Sequence, residues 1–257
     1  MPRMNPMPPE GAGGGSTGET QLHIFERRIL QLKRRLVREA THAIGMLEAS
    51  LDALWKLDLA AARSVRAEDD QVDREEVEIE QEGFEILALR HVFARDFRMV
   101  AFVLKVNADV ERVADHATGI AKIALRISKE LPPGVVPQWP TSLKELGHRV
   151  PIMCHDLLRA VLDEDVEAGR RIAASDEIID QLDRQVFEEA IELMKDEGKT
   201  DAALAMGLHV ARIGRELERV GDLMKNIAED LIYLGTGQIV RHGGKTPPPA
   251  TQGPVGT

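Results

Sequence analysis

The sequence has few aromatic side chains, a single cysteine and no long apolar run. Aromatic residues make up 4% of the 257 residues and hydrophobic residues 43%, so the core must be mostly aliphatic. Cys154 has no partner for an internal disulfide, which fits a reducing compartment, and we expect it to be a small buried hydrophobic residue. No run is long enough to span a bilayer, and the first residues lack the apolar segment of a secretory signal. We therefore expect a cytoplasmic protein that reaches a membrane only through partners.

The chain also lacks a continuous block of basic residues. It has 43 acidic and 33 basic side chains, which give a formal net charge of −10. Such a chain would release few counterions from a nucleic acid, so we expect no nucleic-acid partner. A glycine-rich phosphate loop, a serine–histidine–acid order and a Cys/His zinc spacing are absent as well.

Proline is missing from residues 10–131 and then clusters in LPPGVVPQWP, which indicates a linker. Glycine, proline and serine are frequent at both ends, as in disordered segments. We predict the following organisation: a disordered N-terminal arm at 1–20, a first three-helix bundle at 21–131, a linker at 132–140, a second bundle at 141–235 and a disordered tail at 236–257.

Apolar residues between these ends recur at helical spacing, as in Val103, Val106 and Val110, and no segment alternates as a strand does. Adding 107 to a first-half position gives its counterpart in the second half, without a gap. Asp58 then matches Asp165, and similar matches continue along the chain. A constant offset over so many residues predicts a duplicated three-helix unit. The predicted fold is all-α, with two tandem pseudo-symmetric antiparallel three-helix bundles.

Each half carries two pairs of acidic residues spaced four apart, which lie one turn apart on one helix face. These pairs are Asp69/Asp73 and Glu111/Asp115 in the first half, and Asp176/Asp180 and Glu218/Asp222 in the second. If the second and third helices of each bundle are antiparallel neighbours, the four carboxylates converge along one groove. An oxygen-only set suits a hard divalent or trivalent metal ion, namely magnesium, manganese, calcium or iron.

Simpler interpretations of the acidic pairs stay open. Pairs at this spacing are common on solvated helix faces, and Arg112 and Arg219 could neutralise them within the protein. Duplication alone could also have kept both halves acidic by descent. His116 follows Asp115, but Leu223 replaces it in the second copy, so we expect a structural histidine.

A di-iron carboxylate oxidase is the enzymatic alternative, because such bundles need two Glu-x-x-His motifs together with two further glutamates. The chain contains Glu39/His42 and Glu145/His148. These two motifs are 106 residues apart, one residue off the repeat offset, so we expect them to face different directions.

Longer motifs extend the acidic pairs in both halves. They are DDQVDREEVEIEQEGFEILALRHVFARDFRMV with ERVADHATGIA in the first half, and DEIIDQLDRQVFEEAIELM with ERVGDLMKNIAEDL in the second. As a set, these motifs resemble those of the PhoU family of bacterial phosphate-signalling regulators. The resemblance implies two pseudo-symmetric bundles whose acidic motifs bind metal clusters. The ligands that it implies are Asp69, Asp73, Glu111, Asp115, Asp176, Asp180, Glu218 and Asp222.

The same resemblance implies a protein that is not an enzyme. It would couple the ATPase of a phosphate ABC transporter to a membrane sensor histidine kinase and restrain the phosphate-starvation response. The exposed faces of long helices are also compatible with a homodimer.

The two copies differ beside the acidic motif of the third helix. Lys122 lies seven residues after Asp115 in the first copy, whereas the second copy has Asn226 and Glu229. The charge of Lys122 predicts weaker ion binding in the first half. We expect two related sites that need not be equally occupied.

Overall fold

The structure is a computed structural model that describes residues 15–88, 94–132, 134–196 and 201–240. These residues form six α-helices and no strand, which confirms the predicted all-α class. The helices are α1 (Gly15–Lys56), α2 (Leu59–Ala88), α3 (Ala94–Glu130), α4 (Thr141–Asp163), α5 (Val166–Asp196) and α6 (Asp201–Thr236). None of these described helices has a stretch long and apolar enough to cross a membrane.

The helices pack as two three-helix bundles. In the first bundle α1, α2 and α3 all contact one another, and in the second α4, α5 and α6 do the same. The bundles meet through contacts of α3 with α6 and of α1 with α4. The core is aliphatic, with side chains such as Leu32, Leu47, Ile120 and Leu143 fully buried. The predicted pair of pseudo-symmetric three-helix bundles is confirmed.

The turn between the first two helices of each bundle shows the repeat in atomic detail. Leu57 and Glu164, which are related by the repeat offset, both adopt a left-handed backbone, with φ of 49° and 53°. The next residue in each case is an aspartate, Asp58 or Asp165. Its Oδ1 accepts a hydrogen bond from the backbone N–H three residues on, at 3.0 and 2.9 Å. Each aspartate thus caps the following helix, and the two halves turn by the same chemistry.

The linker between the bundles is packed against α1. Trp139 is buried, and its ring meets that of Trp55 edge-on, with centroids 5.5 Å apart and planes at 73°. Such aromatic pairs are favourable beyond the area that they bury. The linker therefore contributes to holding the second bundle on the first.

The start of the first helix differs from the predicted boundary of the N-terminal arm. Helix α1 begins at Gly15, inside the segment 1–20 that we predicted to be a disordered arm. No proline follows Pro9 until Pro132, so no backbone constraint stops the helix from extending this far toward the N-terminus. Helix α6 ends at Thr236. The rest of the predicted arm and most of the predicted tail, residues 1–14 and 241–257, lie outside the described residues.

Candidate functional site

The four predicted acids of the first half act on one another across α2 and α3. Burial raises the pKa of Glu111 to about 7, and the negative charges of Asp115 and Asp73 contribute. Burial also raises the pKa of Asp69, with Asp115 and Asp73 adding to the effect. Because Asp69 and Asp73 lie on α2 and the other two on α3, the structure brings all four carboxylates into one electrostatic group. We call this set the first acidic groove.

The four acids of the second half form a matching group across α5 and α6. Burial raises the pKa of Asp222, and the charges of Asp176 and Asp180 add to this. Burial likewise raises the pKa of Glu218, with a contribution from Asp222. We call this set the second acidic groove. The acids of each set thus influence one another's charge across two helices, and their role as metal ligands stays a prediction.

Each groove has one more acid that the sequence interpretation missed. Burial raises the pKa of Glu76, and Asp73 contributes through its charge. Burial also raises the pKa of Asp183, with Asp180 acting in the same direction. Glu76 and Asp183 are related by the repeat offset, and each lies three residues after the second acid of its α2 or α5 pair. That shared position was the signal that could have revealed them.

The hydrogen bonds that hold the first acid of each groove are different. In the first groove the hydroxyl of Thr118 donates to Oδ1 of Asp69 at 3.1 Å. In the second groove the ammonium group of Lys225 donates to Oδ2 of Asp176. Thr118 and Lys225 occupy equivalent positions of the repeat. A neutral donor in one half is therefore replaced by a cation in the other.

A second cation forms an ion pair with an acid of the second groove and has no equivalent in the first half. Arg215 forms an ion pair with Glu218, with Nη1 and Oε1 2.8 Å apart, and its first-half counterpart is Ala108. The predicted neutralisation by Arg112 takes another form, since the ion pair of Arg112 is with Asp109 at 3.8 Å. Among the described residues, Arg215 and Lys225 are therefore the cations that form ion pairs with the predicted acids. The sequence interpretation did not single them out.

Buried oxygens without hydrogen-bond partners support a cation site in both grooves. Oδ1 of Asp176 and Oε2 of Glu218 are buried and have no partner, and the side chains of these residues are 8% and 11% exposed. Oδ1 of Asn107 is likewise unpartnered, while its Nδ2 donates to the carbonyl of Glu76 at 2.8 Å. Asn107 lies one turn before Glu111 on α3. Unpaired buried oxygens are costly, and a hard cation is a ligand that would satisfy them.

The carboxylates are not arranged as a finished coordination shell. Among the described residues, no group of three or more His, Cys, Asp or Glu side chains is positioned to hold a metal ion. The residue types fit a hard metal ion, and ligation would require these side chains to move closer together.

Three histidines that the structure describes, His42, His116 and His148, have surroundings outside the two grooves. Nδ1 of His116 hydrogen-bonds with Glu216 across the interface between the bundles at 2.7 Å, which is a structural contact. For the di-iron alternative, His42 pairs with Glu68 at 3.0 Å, whereas His148 is exposed on the second bundle. Glu39 is buried within the first bundle. The two Glu-x-x-His motifs therefore share no centre in the described part of the chain.

The fold and the two grooves define a duplicated helical-bundle protein with paired acidic sites. The family model for the PhoU domain matches the chain twice, at residues 36–124 and 143–231. These two matches have the same offset that aligns the sequence repeat. The chain belongs to the PhoU family.

Relatives and solved structures agree with this assignment. The chain is similar to the phosphate-specific transport system accessory protein PhoU homolog of Pseudomonas putida, with 32% identity that covers 86% of this chain and 84% of the relative. It is 29% identical to the homolog from Clostridium acetobutylicum, over 84% of this chain and 96% of that protein.

Two crystal structures share the fold. The phosphate transport system regulatory protein PhoU from Streptococcus pneumoniae matches with a TM-score of 0.75 and 29% identity, over 84% of this chain and 99% of that chain. PhoU from Pseudomonas aeruginosa matches with a TM-score of 0.77 and 28% identity, over 83% of this chain and 100% of that chain.

Proposed function

We propose that this protein is a metal-binding, non-enzymatic regulator of phosphate uptake and of the phosphate-starvation response. The observation that carries the proposal is the duplicated acidic groove in a chain of the PhoU family. The names of its relatives describe accessory and regulatory proteins of phosphate transport, which supports the same role here. We propose that it acts in the cytoplasm, as an adaptor between the ATPase of a phosphate ABC importer and a sensor histidine kinase.

The metal part of the proposal rests on the residues of the grooves. In the first groove Asp69, Asp73, Glu111 and Asp115 would hold the ion, with Glu76 as a further oxygen donor. A bound hard cation would supply positive charge that neutralises the carboxylates and links the two helices. The chain itself supplies the rest, because α2 and α3 pack on α1 and fix which acids face one another.

Neutralising a groove also changes the surface that a partner meets. Asp73 and Asp115 are exposed at the first groove, and Asp222 is exposed at the second. Without a cation these positions present their full negative charge, and a bound divalent or trivalent ion lowers that charge without cancelling it. A partner that docks on α2 and α3 would therefore distinguish the two states by charge.

A metal-free interaction bundle is the second candidate, since Arg215 and Lys225 already compensate part of the second groove. In that case the acids would form a charged docking face, and binding of the partner would not respond to divalent ions.

Complementation of a strain that lacks the gene tests the proposal. Deletion should raise a phosphate-starvation reporter in phosphate-rich medium, and the wild-type chain should restore repression. A variant with Asp69→Asn, Asp73→Asn, Glu111→Gln and Asp115→Asn should fail to restore it at equal expression. Asp70→Asn, an exposed acid of the same helix, is the matched control and should behave as wild type.

Two results would contradict the proposal. Failure of the wild-type chain to change the reporter or phosphate uptake would overturn the regulatory role. Full repression by the four-residue variant would remove the first acidic groove from the mechanism, both as a metal site and as a charged docking face.

A further inference from the structure

A groove of basic side chains lies between the beginning of α2 and the end of α3. It is lined by Arg63, Arg66, Lys122, Leu125, Arg126 and Lys129 and has a volume of about 460 Å³. We call it the basic groove. Its five cations come from two helices, so no continuous basic block marks it in the sequence.

The five cations have little compensation by acids, since Lys122 acts on Asp69 through its charge without an ion pair. Within the described residues, none of them forms an ion pair, whereas Arg35 on α1 pairs with three glutamates of α2. All five are exposed, in a chain whose formal net charge is −10. Charges of one sign repel when they are gathered in a concave site, and an anion bound among them would relieve that repulsion.

The repeat shows that this charge belongs to the first half alone. At the equivalent positions the second half has Arg170, Ala173, Glu229, Ile232, Tyr233 and Thr236. One cation remains there, and it pairs with Glu167 at 3.4 Å. The basic groove is therefore not a general consequence of how the second and third helices of each bundle meet.

The arrangement of the cations indicates the chemistry of the ligand. Three arginines offer planar donor forks that match phosphate oxygens, and two lysines add mobile point charges. Lys122 and Lys129 are seven residues apart on α3, or about 10 Å along the helix axis. A chain of linked phosphates can contact this row of cations along its length, whereas one phosphate ion would leave part of the row without a partner.

Other classes of ligand fit less well. The groove has no aromatic side chain on which a base could stack, so it is not built as a nucleic-acid platform. Its concave shape favours a small anion that enters the groove over a flat membrane surface. We propose that the basic groove binds an anion of several linked phosphates, such as inorganic tripolyphosphate or the triphosphate of a nucleotide.

Calorimetric titration of the full chain tests this proposal directly. Metal-free protein is used, because linked phosphates also chelate metal ions, and salt is kept near about 0.15 M, where weak surface attraction is screened. Tripolyphosphate should bind saturably at one site, at least tenfold more tightly than orthophosphate. ATP separates the two sources, since equal affinities for ATP and tripolyphosphate assign recognition to the phosphate chain alone.

Variants locate the site. Arg66→Gln with Arg126→Gln should lower the affinity for tripolyphosphate at least tenfold, while Arg170→Gln in the second half should leave it unchanged.

Three results would overturn the proposal. They are absence of saturable tripolyphosphate binding, equal losses in the Arg66/Arg126 and Arg170 variants, and binding to phosphatidylserine vesicles that depends on Arg66 and Arg126 but resists competition by tripolyphosphate.

Discussion

The two acidic grooves have acids at the same repeat positions but differ in their cations. In the first, Asp69 receives a hydrogen bond from the neutral hydroxyl of Thr118. In the second, Lys225 holds Asp176 and Arg215 holds Glu218. The positions of the acids are thus the same in both halves, while the charge of their neighbours differs.

This difference reverses the order of affinity expected from Lys122. That lysine lowers the pKa of Asp69 through its charge but forms no ion pair with it in the described structure. Lys225 is bonded to its aspartate, so an incoming cation must displace it or share the carboxylate. We therefore expect the first groove to bind a hard cation more tightly than the second.

The largest expected effect is loss of the first site. Asp69→Asn with Glu111→Gln removes one carboxylate from each helix, and the affinity of that groove for Mn²⁺ should fall by more than about 100-fold. Calorimetry resolves this as the disappearance of the tighter of two binding steps. Asp70→Asn is the matched control, and loss of the weaker step instead would reverse our assignment of the two grooves.

The next effect comes from Glu39, a buried glutamate of the first half that has no acidic counterpart in the second. Burial raises the pKa of Glu39 to about 7 from 4.5, and its counterpart at the repeat position is Leu146. Between these two pKa values the folded state binds more protons than the unfolded state. Stability should therefore fall as the pH rises from 4.5 to about 7, and it stays low above that.

Glu39→Gln tests this pH dependence. It should stabilise the metal-free protein by about 2 kcal/mol at pH 8 and have little effect near pH 4.5. Urea unfolding at the two pH values gives the difference. A Gln variant with the same free energy of unfolding as the wild type at pH 8 would show that Glu39 is not destabilised by burial.

Removing the cation of the second groove should have a smaller effect. Lys225→Thr copies the first half at this position and frees Asp176, so the affinity of the weaker site for Mn²⁺ should rise about tenfold. Lys122→Thr is the matched variant in the first half and should raise the affinity of its groove less than about threefold. A larger gain for Lys122→Thr would restore the order of affinity expected from the sequence.

The additional acids should have the smallest effect. Glu76→Gln should weaken the first site about fivefold, and Asp183→Asn should weaken the second by a similar factor, because each removes one charge from the edge of its groove. Glu177→Gln, an exposed acid of α5, is the control. Unchanged affinities in both variants would limit each site to the four predicted acids.

Much of the fold could be predicted because its signals are local or periodic. Helical spacing and the constant offset depend only on the order of residues, and the acidic pairs at four-residue spacing face one groove once the helices are antiparallel. Glu76 and Asp183 obey the same offset and could have been found by it. The start of α1 at Gly15 differs from the predicted arm, because glycine and serine weaken a helix but do not stop it as proline does.

The rest of the site depends on which helices touch. Lys225 reaches Asp176 from 49 positions away, and the five cations of the basic groove lie on two helices. Neither the Lys225–Asp176 bond nor the group of five cations leaves a motif in the sequence. The difference in charge between the halves therefore becomes visible only when the side chains are placed.

Anomalous scattering from crystals soaked in Mn²⁺ tests the central claim most directly. Our account predicts a peak between α2 and α3 within ligand distance of Asp69, Asp73, Glu111 and Asp115, and a weaker peak at the second groove. Absence of a peak at both grooves in Mn²⁺-saturated crystals would contradict it.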